Sequence, residues 1–340
     1  MKKTKKYTKL AIFLILMDVF AITGFVLSYG PWDYLRNLLV TTAMTTKDHK
    51  YLAHILYTDE MIKEIMNNNY VKDNGMSTNA SEVTIGQIEE KSTYDSIYEE
   101  QILKRDPEHE DYKIIPLSGS GYKGYMGVIY DPSRVSLLLA PKFGQTGEFL
   151  QTMAKDAGAK LAINASGFID INERGNGGQP TGTIIKDGKI VWTGKSTGYV
   201  GGIAGFNKDN VLVLTHSTAE QAVQDGMRDA VEFGPFLIVN GQPAIIKGNG
   251  GWGTAPRTVL AQRKDGIVLF VIIDGRQPGY SIGINMPDLV DLLLKYKAYN
   301  AVNLDGGASS SLVENGEIIN KPCAISVTGE RLIPNGWIFK

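Results

Sequence analysis

The stretch RTVLAQRKDGIVLFVIIDG, residues 257–275, decides the fold class of this chain. It consists of two apolar runs on either side of the dipeptide Asp265-Gly266. Such a dipeptide between runs rich in Val and Ile is typical of a β-hairpin with a two-residue type I′ turn. The second run leads straight into Asp274, so this predicted hairpin also carries a carboxylate at the end of a strand.

Three more dipeptides of this kind lie between apolar runs elsewhere in the chain. The predicted hairpins pair residues 183–186 with 189–193 around Asp187-Gly188, 235–239 with 242–246 around Asn240-Gly241, 257–263 with 267–273, and 310–314 with 317–319 around Asn315-Gly316. Two helices interrupt the strands, one from Thr146 to Gly158 and one that begins near Pro287. The sequence therefore predicts an α+β fold, with a mixed, hairpin-rich β-sheet and helices packed on it.

The composition narrows the functional class of the chain. Its 340 residues are 43% hydrophobic and 21% charged, which is ordinary for a globular protein. The formal net charge is −1 and no basic aromatic stripe is present, so nucleic acid is not an expected partner. A single cysteine, Cys323, excludes an internal disulfide framework and a Cys-rich zinc site.

The N-terminus has the pattern of a membrane anchor. Five lysines among residues 2–9 precede an almost wholly apolar run, residues 10–27. The exception, Asp18, costs about 2.5–3.5 kcal/mol on the insertion scale, while each Leu, Ile, Phe or Val contributes roughly −0.3 to −0.6 kcal/mol, so insertion stays favourable. A cleaved signal peptide is the alternative, but no A-x-A-like site closes the run. Because the lysines stay inside, we expect a single-pass protein of the cell membrane with a cytoplasmic N-terminus and an extracellular C-terminal domain.

Three regions are predicted from these patterns. Residues 1–30 form the cytoplasmic tail and transmembrane anchor. Residues 31–112 form a helical stalk, with helical spacing of apolar residues over 33–69, and a polar linker that could hold a short helix at 86–104. Residues 113–340 form the domain that carries the hairpins.

Five glycine-bearing loops place polar residues just past an apolar strand. They contain Asn164 and Asp170; Glu232; Arg257; Asp274 and Arg276; and Asn303, Asp305, Gly306, Gly307, Ser309 and Ser310. A strand fixes a carboxylate at its end, and a following glycine lets a substrate approach the backbone. The same Asp-Gly pair is often only a turn former, so these signals alone name no reaction.

The residue types in these loops suit charge chemistry. Converging carboxylates can divide acid and base roles when their pKa values are pushed apart. Arg257 offers a planar fork for a phosphate or a carboxylate. The backbone N–H groups after Asp305, together with the Ser309 and Ser310 hydroxyls, could form an anion nest.

Four motifs occur together in the order, and at about the spacing, of a known family. They are Asn164 to Asp170, Pro256-Arg257-Thr258, Asp274-Gly275-Arg276, and Asn303-Leu304-Asp305-Gly306-Gly307 with Ser309-Ser310. Residues 113–340 thereby resemble the phosphodiester glycosidase family, which includes a lysosomal uncovering enzyme and bacterial proteins labelled as exopolysaccharide biosynthesis proteins. The chain departs from the family pattern at Ala165-Ser166 and at Ala308, where small residues replace glycines.

The resemblance implies a hydrolase that cleaves a sugar-1-phosphodiester and releases a sugar and a phosphomonoester. The substrate would be a glycan or glycosyl phosphate in a cell-envelope glycopolymer or exopolysaccharide. Asp305 would be the nucleophile or general base, Glu232 or Asp274 the second carboxylate, and Arg257 the phosphate ligand. The implied substrate-binding residues are Asn164, Asp170, Arg276, Asn303, Gly306, Gly307, Ser309 and Ser310.

Other classes of function stay open at this point. A metal-dependent phosphodiesterase could use the oxygen ligands of Asp274, Asp305, Glu232 and Asn164 to bind Ca²⁺ or Mg²⁺, although no cofactor is certain. A serine hydrolase is disfavoured because there is no G-x-S-x-G elbow and His216 is the only histidine of the domain. A non-catalytic module that binds envelope glycans is the third alternative, and clustered carboxylates beside Arg257 favour catalysis over it.

Overall fold

The chain folds into two compact units. The computed structural model describes residues 2–46, 49–86, 93–105, 110–170, 175–194, 201–326 and 328–340. The first unit, here the helical unit, takes in Met1–Tyr70 together with Lys247–Gly253. The second, here the β-rich unit, takes in Val71–Ile246 and Thr254–Lys340.

The helical unit confirms the helical character predicted before residue 70. Its helices are α1 (Lys2–Tyr29), α2 (Asp33–Met44), α3 (Tyr51–Leu56) and α4 (Asp59–Asn68). Helix α4 begins where Thr58 accepts a hydrogen bond from the backbone N–H of Met61, as an N-cap residue does. The helices pack around a small core of their own, formed by Val40, Ala53, Tyr57, Ile62 and Ile65.

The central part of helix α1 is apolar apart from Asp18. Its segment Lys9–Val26 has a mean hydropathy of 2.2, and none of it is buried. Among the helices that the structure describes, it is the one long and apolar enough to cross a membrane. A membrane anchor and a signal sequence would both have this form.

The loop between two strands at residues 247–253 belongs to the helical unit. The backbone N–H of Asn249 donates to Asn69 Oδ1 at 2.9 Å, and its side-chain Nδ2 donates to Thr41 Oγ1 at 2.9 Å. At Gly251, with φ of +72°, a Cβ would lie 2.2 Å from the carbonyl oxygen of Asn69. Glycine is therefore required where this loop meets the end of α4.

Within the described residues, the β-rich unit adds four helices and nearly all of the strands. The helices are α5 (Ile97–Leu103), α6 (Leu150–Asp156), α7 (Ala219–Gln224) and α8 (Met286–Lys295). The strands of the chain are β1 (Tyr70–Lys72), β2 (Tyr112–Gly119), β3 (Tyr122–Ile129), β4 (Val135–Leu139), β5 (Glu148–Phe149), β6 (Leu161–Asn164), β7 (Thr183–Lys186), β8 (Lys189–Thr193), β9 (Gly202–Asn207), β10 (Leu212–Thr215), β11 (Met227–Phe233), β12 (Phe236–Val239), β13 (Gln242–Pro243), β14 (Ile245–Lys247), β15 (Arg257–Arg263), β16 (Val268–Ile273), β17 (Ala298–Asn303), β18 (Leu312–Glu314), β19 (Glu317–Ile318), β20 (Leu332–Ile333) and β21 (Asn335–Phe339). This mixture of helices and strands confirms the predicted α+β class.

Most of these strands are distributed over three sheets rather than one. The seven-stranded sheet has the order β13-β12-β17-β15-β16-β3-β2. One five-stranded sheet, here the β6 sheet, has the order β19-β18-β6-β21-β4, and the other, here the β11 sheet, has the order β10-β9-β11-β7-β8. The core that they share is filled by large side chains from all three, including Trp337, Phe206, Phe236, Phe270 and Phe339.

The hairpin of β15 and β16 forms the centre of the seven-stranded sheet, and every residue of both strands is buried. The pairing predicted from the sequence is confirmed, with Val259 opposite Val271. The predicted type I′ turn is wrong here, because Gly266 has φ of +86° while Asp265 has a negative φ. The Asp265 carboxylate accepts a hydrogen bond from the backbone N–H of Ile267, which favours a longer turn.

The other three predicted hairpins form with the expected turns. Both turn residues have positive φ at Asp187-Gly188, Asn240-Gly241 and Asn315-Gly316, as type I′ requires. The paired strands are β7 with β8, β12 with β13, and β18 with β19.

The two predicted helices differ in how well their ends were placed. Helix α8 follows Asn285, whose side chain accepts from the N–H of Asp288, close to the predicted start at Pro287. Helix α6 stops before Gly158, as predicted, but it begins at Leu150 and not at Thr146. The preceding residues form β5, which pairs with the distant β20.

Part of the predicted linker packs within the β-rich unit. Ile102 of α5 is fully buried, and its carbonyl oxygen accepts a hydrogen bond of 2.8 Å from the Tyr130 hydroxyl. Residues 87–92 of the helix expected at 86–104 lie outside the described residues. The domain boundary at residue 113 stays a prediction, while the compact unit itself starts at Val71.

Replacing Gly251 by Ala should loosen the end of α4. A side chain at positive φ costs about 1–3 kcal/mol by itself, and here the new Cβ would also overlap a carbonyl oxygen. Gly226→Ala is the matched control, because Gly226 has φ of +95° and open space around its Cβ position. We expect hydrogen exchange of the α4 amides to speed up in Gly251→Ala only. Unchanged α4 exchange would contradict this packing.

Candidate active site

Three neighbouring strands bring the predicted residues to one edge of the seven-stranded sheet. Strand β15 begins at Arg257, which lies opposite Ile273, the last residue of β16 before Asp274. Strand β17 ends at Asn303, which lies opposite Val259 of β15. Because adjacent strands are antiparallel, the start of β15 and the ends of β16 and β17 fall on the same edge.

The amide of Asn164, at the end of β6, connects the loops at this edge. Its Nδ2 donates to the carbonyl oxygen of Asp305 at 2.6 Å. Its Oδ1 accepts from Thr258 Oγ1 at 2.8 Å and from the N–H of Ser311 at 3.2 Å. Thr258 Oγ1 also lies 3.2 Å from Ser310 Oγ. Only 1% of Asn164 is exposed. Its amide therefore connects the loops of Thr258 and Asp305 from inside the protein, and not as a ligand at the surface.

The loop after Asp305 depends on two glycines. A Cβ at Gly306 would lie 2.8 Å from the carbonyl oxygen of Pro256. The N–H of Gly307 donates to that same oxygen at 3.0 Å, and at this residue φ is +62°. A Cβ at Gly307 would also lie 3.2 Å from the guanidinium of Arg276. The glycines thus bring half-buried Asp305 close to Pro256 and Arg276.

Two of the backbone N–H groups that the sequence predicts for an anion nest after Asp305 are used within the loop itself. The N–H groups of Ser309 and Ser310 donate to the carbonyl oxygens of Gly306 and Gly307, at 3.2 and 3.3 Å. These bonds belong to a turn of 3₁₀ helix at Gly307–Ser309. Positive charge at this edge comes from side chains instead.

Two guanidinium groups supply that charge. Arg257 is 5% exposed, and its Nε donates to the carbonyl oxygen of Ile284 at 3.4 Å. Burial, and then the positive charge of nearby Arg276, lower the pKa of Arg257 to about 9. An anion bound beside both groups would relieve this repulsion, so the pair favours a phosphate or a carboxylate.

Asp274 is buried, and both of its oxygens accept hydrogen bonds from the protein. The donors are the Tyr280 hydroxyl at 3.0 Å, Asn320 Nδ2 at 2.8 Å and the N–H of Lys321 at 3.0 Å. Burial raises the pKa of Asp274, and these hydrogen bonds act in the opposite direction. Asn320 Nδ2 also donates to the carbonyl oxygen of Ser310 at 3.1 Å, so Asp274 is linked to the loop of Asp305.

Sequence reasoning missed Asn320 as a partner of the site. Asn320 directly follows the hairpin of β18 and β19, and its Oδ1 accepts from the N–H of Leu312 at 2.7 Å. No local pattern marks such a residue. Its only signal in the sequence is a polar amide that follows the apolar Ile319.

Asp170 supports its own loop. Its Oδ2 forms an ion pair of 2.7 Å with Arg331, and its Oδ1 accepts from the N–H of Gly175 at 2.6 Å. The guanidinium of Arg331 lies 4.9 Å from the centre of the Phe168 ring. The structure thus places Asp170 in a buried ion pair beside the Asn164 loop.

Glu232 lies in a different sheet from Asp274 and Asp305. It is part of β11, and its Oε2 accepts from the N–H of Thr183 at 2.9 Å. It borders a cavity of about 360 Å³ that is also lined by His216. The connection to the Asp305 loop runs through Gly234, whose carbonyl oxygen accepts from Asn303 Nδ2 at 3.2 Å. Asn303 Oδ1 is buried without a hydrogen-bond partner.

The alternatives from the sequence find little support in this arrangement. Over the described part of the chain, no three His, Cys, Asp or Glu side chains cluster as a metal site would require. Asn164 Oδ1 already accepts two hydrogen bonds, and both oxygens of Asp274 accept hydrogen bonds from the protein. The ring nitrogens of His216 face Gly201 and Asp73, at 3.2 and 3.4 Å, and not a serine of the Asp305 loop.

Replacing Asn320 by Ala should destabilise the β-rich unit in a pH-dependent way. The change removes one donor to buried Asp274, and we expect it to cost about 2–3 kcal/mol at neutral pH. The lost hydrogen bond favoured the ionised form, so the pKa of Asp274 should rise further. The stability deficit should therefore shrink as the pH falls through the range where Asp274 becomes protonated.

Denaturant unfolding of wild type and variant at a series of pH values measures this. Asn207→Ala is the control, because Asn207 Oδ1 accepts hydrogen bonds from the backbone N–H groups of Asp209 and Val211 and, among the described residues, from no side chain. Its deficit should not change over the same pH range. An Asn320→Ala deficit that is equally flat would mean that Asp274 does not depend on this amide.

The family model described as phosphodiester glycosidase matches residues 157–340. The SPbeta prophage-derived uncharacterized protein YomE of Bacillus subtilis is 32% identical over 187 residues, which are 52% of this chain and 28% of that protein. The N-acetylglucosamine-1-phosphodiester alpha-N-acetylglucosaminidase of Mus musculus is 25% identical over 229 residues, 60% of this chain and 42% of the mouse protein.

A solved structure shows the same fold. The catalytic domain of the zebrafish N-acetylglucosamine-1-phosphodiester alpha-N-acetylglucosaminidase, auto-inhibited by its pro-peptide, has a TM-score of 0.54 at 24% identity. The match covers 67% of this chain and 81% of that domain. The chain spans less than half the length of the two relatives named above. Since the family model covers more than half of its residues, the chain belongs to the phosphodiester glycosidase family.

Proposed function

We propose that the β-rich unit hydrolyses a glycosyl phosphodiester and releases a sugar and a phosphomonoester. One observation carries this proposal: the half-buried carboxylate of Asp305 and the guanidinium groups of Arg257 and Arg276 are brought to one sheet edge. A carboxylate suits an anomeric carbon that develops positive charge, and guanidinium groups suit a phosphate that leaves with added negative charge.

The two arginines would stabilise the leaving phosphate. When the bond between C1 and the phosphate oxygen breaks, its electron pair stays on that oxygen. Arg257 is largely removed from water, so its hydrogen bonds to the phosphate would be strong in the transition state. Phosphate is a good leaving group with such support, and no strong general acid is needed.

Asp305 would act on the sugar side of the same bond. Its carboxylate serves either as the nucleophile at C1 or as the base that takes a proton from the attacking water. Its backbone is held on both sides, by the N–H bond to Ala165 O at 3.1 Å and by the bond from Asn164. A position fixed in this way is what attack on a single carbon atom requires.

Glu232 is the better candidate for the second carboxylate. It borders a cavity, whereas both oxygens of Asp274 are bonded to the protein. The unpartnered Oδ1 of Asn303 supports a sugar in this region, since it can accept a hydrogen bond from a hydroxyl group. Asp274 would then position Asn320 and, through it, the Ser310 loop.

The apolar helix α1 supports a membrane-bound location. Its length suits a bilayer of about 30 Å, and the lysines of the sequence before residue 10 favour a cytoplasmic N-terminus. The catalytic unit would then act outside the cell, on an envelope glycopolymer or an exopolysaccharide.

Asp305→Asn should abolish most turnover. The amide keeps the size of the side chain but loses the charge, so we expect kcat to fall by at least about 100-fold. The measurement is release of sugar from a sugar-1-phosphate nitrophenyl diester. Asp187→Asn is the matched control, because Asn suits that type I′ turn equally well. Activity within threefold of wild type in Asp305→Asn would refute the assigned role.

Arg257→Lys should weaken phosphate recognition while keeping a positive charge. A lysine lacks the planar fork, so we expect kcat/KM to fall by about 10–100-fold and inhibition by inorganic phosphate to weaken. Arg134→Lys, which changes an arginine ion-paired with Asp111 outside the site, is the control. Equal phosphate inhibition in wild type and Arg257→Lys would place the phosphate elsewhere.

A further inference from the structure

A second group of cations lies beside the proposed catalytic edge. Lys123 and Lys321 are both exposed, and their ammonium nitrogens lie 5.1 and 4.9 Å from the centre of the same ring, that of Tyr280. Arg276 is exposed as well. The name cationic rim is used below for Lys123, Lys321 and Arg276.

The cationic rim is fixed to the site by backbone and side-chain contacts. The carbonyl oxygen of Lys123 accepts from the N–H of Asp274 at 2.9 Å, and the N–H of Lys321 donates to the Asp274 carboxylate. The Tyr280 hydroxyl donates to the same carboxylate at 3.0 Å, and this bond holds the ring that lies near both lysines. Gln277 Nε2 also donates to the carbonyl oxygen of Lys321 at 2.7 Å.

The rim adjoins the Asp305 loop by two routes. The guanidinium of Arg276 lies against Gly307, two residues after Asp305. Asn320, next to Lys321, bridges the Asp274 carboxylate and the carbonyl oxygen of Ser310. An anion that contacts the rim is therefore close to any substrate at the Asp305 loop.

The charge at this edge exceeds what one phosphodiester would balance. Within the described residues, no carboxylate forms an ion pair with the side chain of Lys123, Lys321 or Arg276. With Arg257, four cations stand against the carboxylates of Asp274 and Asp305. A single phosphodiester carries one negative charge, and the whole chain has a formal net charge of −1. The excess is thus a local feature.

We propose that Lys123 and Lys321 of the cationic rim form a second anion subsite, and that the substrate is a polymer with repeated phosphodiesters and not an isolated one. One phosphate would lie at Arg257 and Arg276 beside the bond that is cleaved, and a neighbouring phosphate of the same chain would lie at Lys123 and Lys321. This inference rests on the proposed hydrolysis at Asp305. It adds the class of substrate: an anionic sugar-phosphate polymer.

The kinetic experiment compares two substrates of the same chemistry with the full chain in a neutral detergent. One is the single sugar-1-phosphate nitrophenyl diester, and the other is a synthetic oligomer of four such sugar units joined by phosphodiesters. At 50 mM salt we expect kcat/KM for the oligomer to exceed that for the single diester by at least about tenfold, and the advantage to shrink at 500 mM salt because the added ions screen exposed charges.

The double variant Lys123→Gln/Lys321→Gln tests the rim directly. It should lower kcat/KM for the oligomer at least about tenfold more than kcat/KM for the single diester. Lys189→Gln/Lys208→Gln is the matched control, because it removes two exposed lysines that lie on the β11 sheet side, in β8 and after β9. It should leave the preference for the oligomer as in wild type.

A binding measurement separates failure of the rim from failure of the proposed activity. Short-chain polyphosphate is titrated into the full chain by calorimetry, with no turnover required. We expect the Kd to rise at least about tenfold in Lys123→Gln/Lys321→Gln and to stay unchanged in the control pair. If the wild type cleaves neither substrate, the hydrolase proposal alone is overturned. If both double variants bind polyphosphate with equal affinity and prefer the oligomer equally, the proposal of a second anion subsite is overturned.

Discussion

The buried amide of Asn164 is the interaction on which the site depends. It stands at the end of β6 in one sheet, yet it bonds Asp305 and Thr258, which belong to the edge of another. Donor and acceptor of one side chain are both used, so neither end can be lost without leaving a buried polar group unsatisfied. The glycines after Asp305 then close the loop against Pro256. The carboxylate of Asp305 is therefore positioned by a contact between sheets, and not by its own strand alone.

The sequence predicted those parts of the fold that depend on local chemistry. Turn dipeptides such as Asn315-Gly316 select their own backbone conformation, and the pairing of the flanking strands follows. Helix α6 shows where this stops, because Glu148 and Phe149 are drawn into a strand by a partner almost two hundred residues away. The turn at Asp265 differs for a local reason that the dipeptide alone does not show, since the Asp265 carboxylate also bonds the Arg263 side chain. No local sequence pattern indicates that the strands are distributed over several sheets.

The residues of the site likewise fall into those that local sequence reveals and those that only long-range contacts reveal. Asp274, Asp305 and Arg257 could be found because each stands at the end of an apolar strand beside glycine or proline. Asn320 could not be found, because its role exists only once Asp274 and Ser310 have been brought to it. Glu232 has the same local appearance as the others, but its strand joins a different sheet, and its link to the Asp305 loop runs through Gly234 and Asn303. Residue type and strand position thus identify candidates, and only the long-range pairing decides which of them meet.

The glycine-rich loop at residues 247–253 bears on how such a protein could arise. It lies deep inside the sequence of the hydrolase domain, yet Asn249 and Gly251 fit Thr41 and Asn69 of the N-terminal helices. Helices and loop must therefore be inherited together. A recombination event at a single point before the domain would transfer the helices without their internal counterpart. The N-terminal region of this chain is thus not an exchangeable module, although the linear order of the sequence makes it look like one.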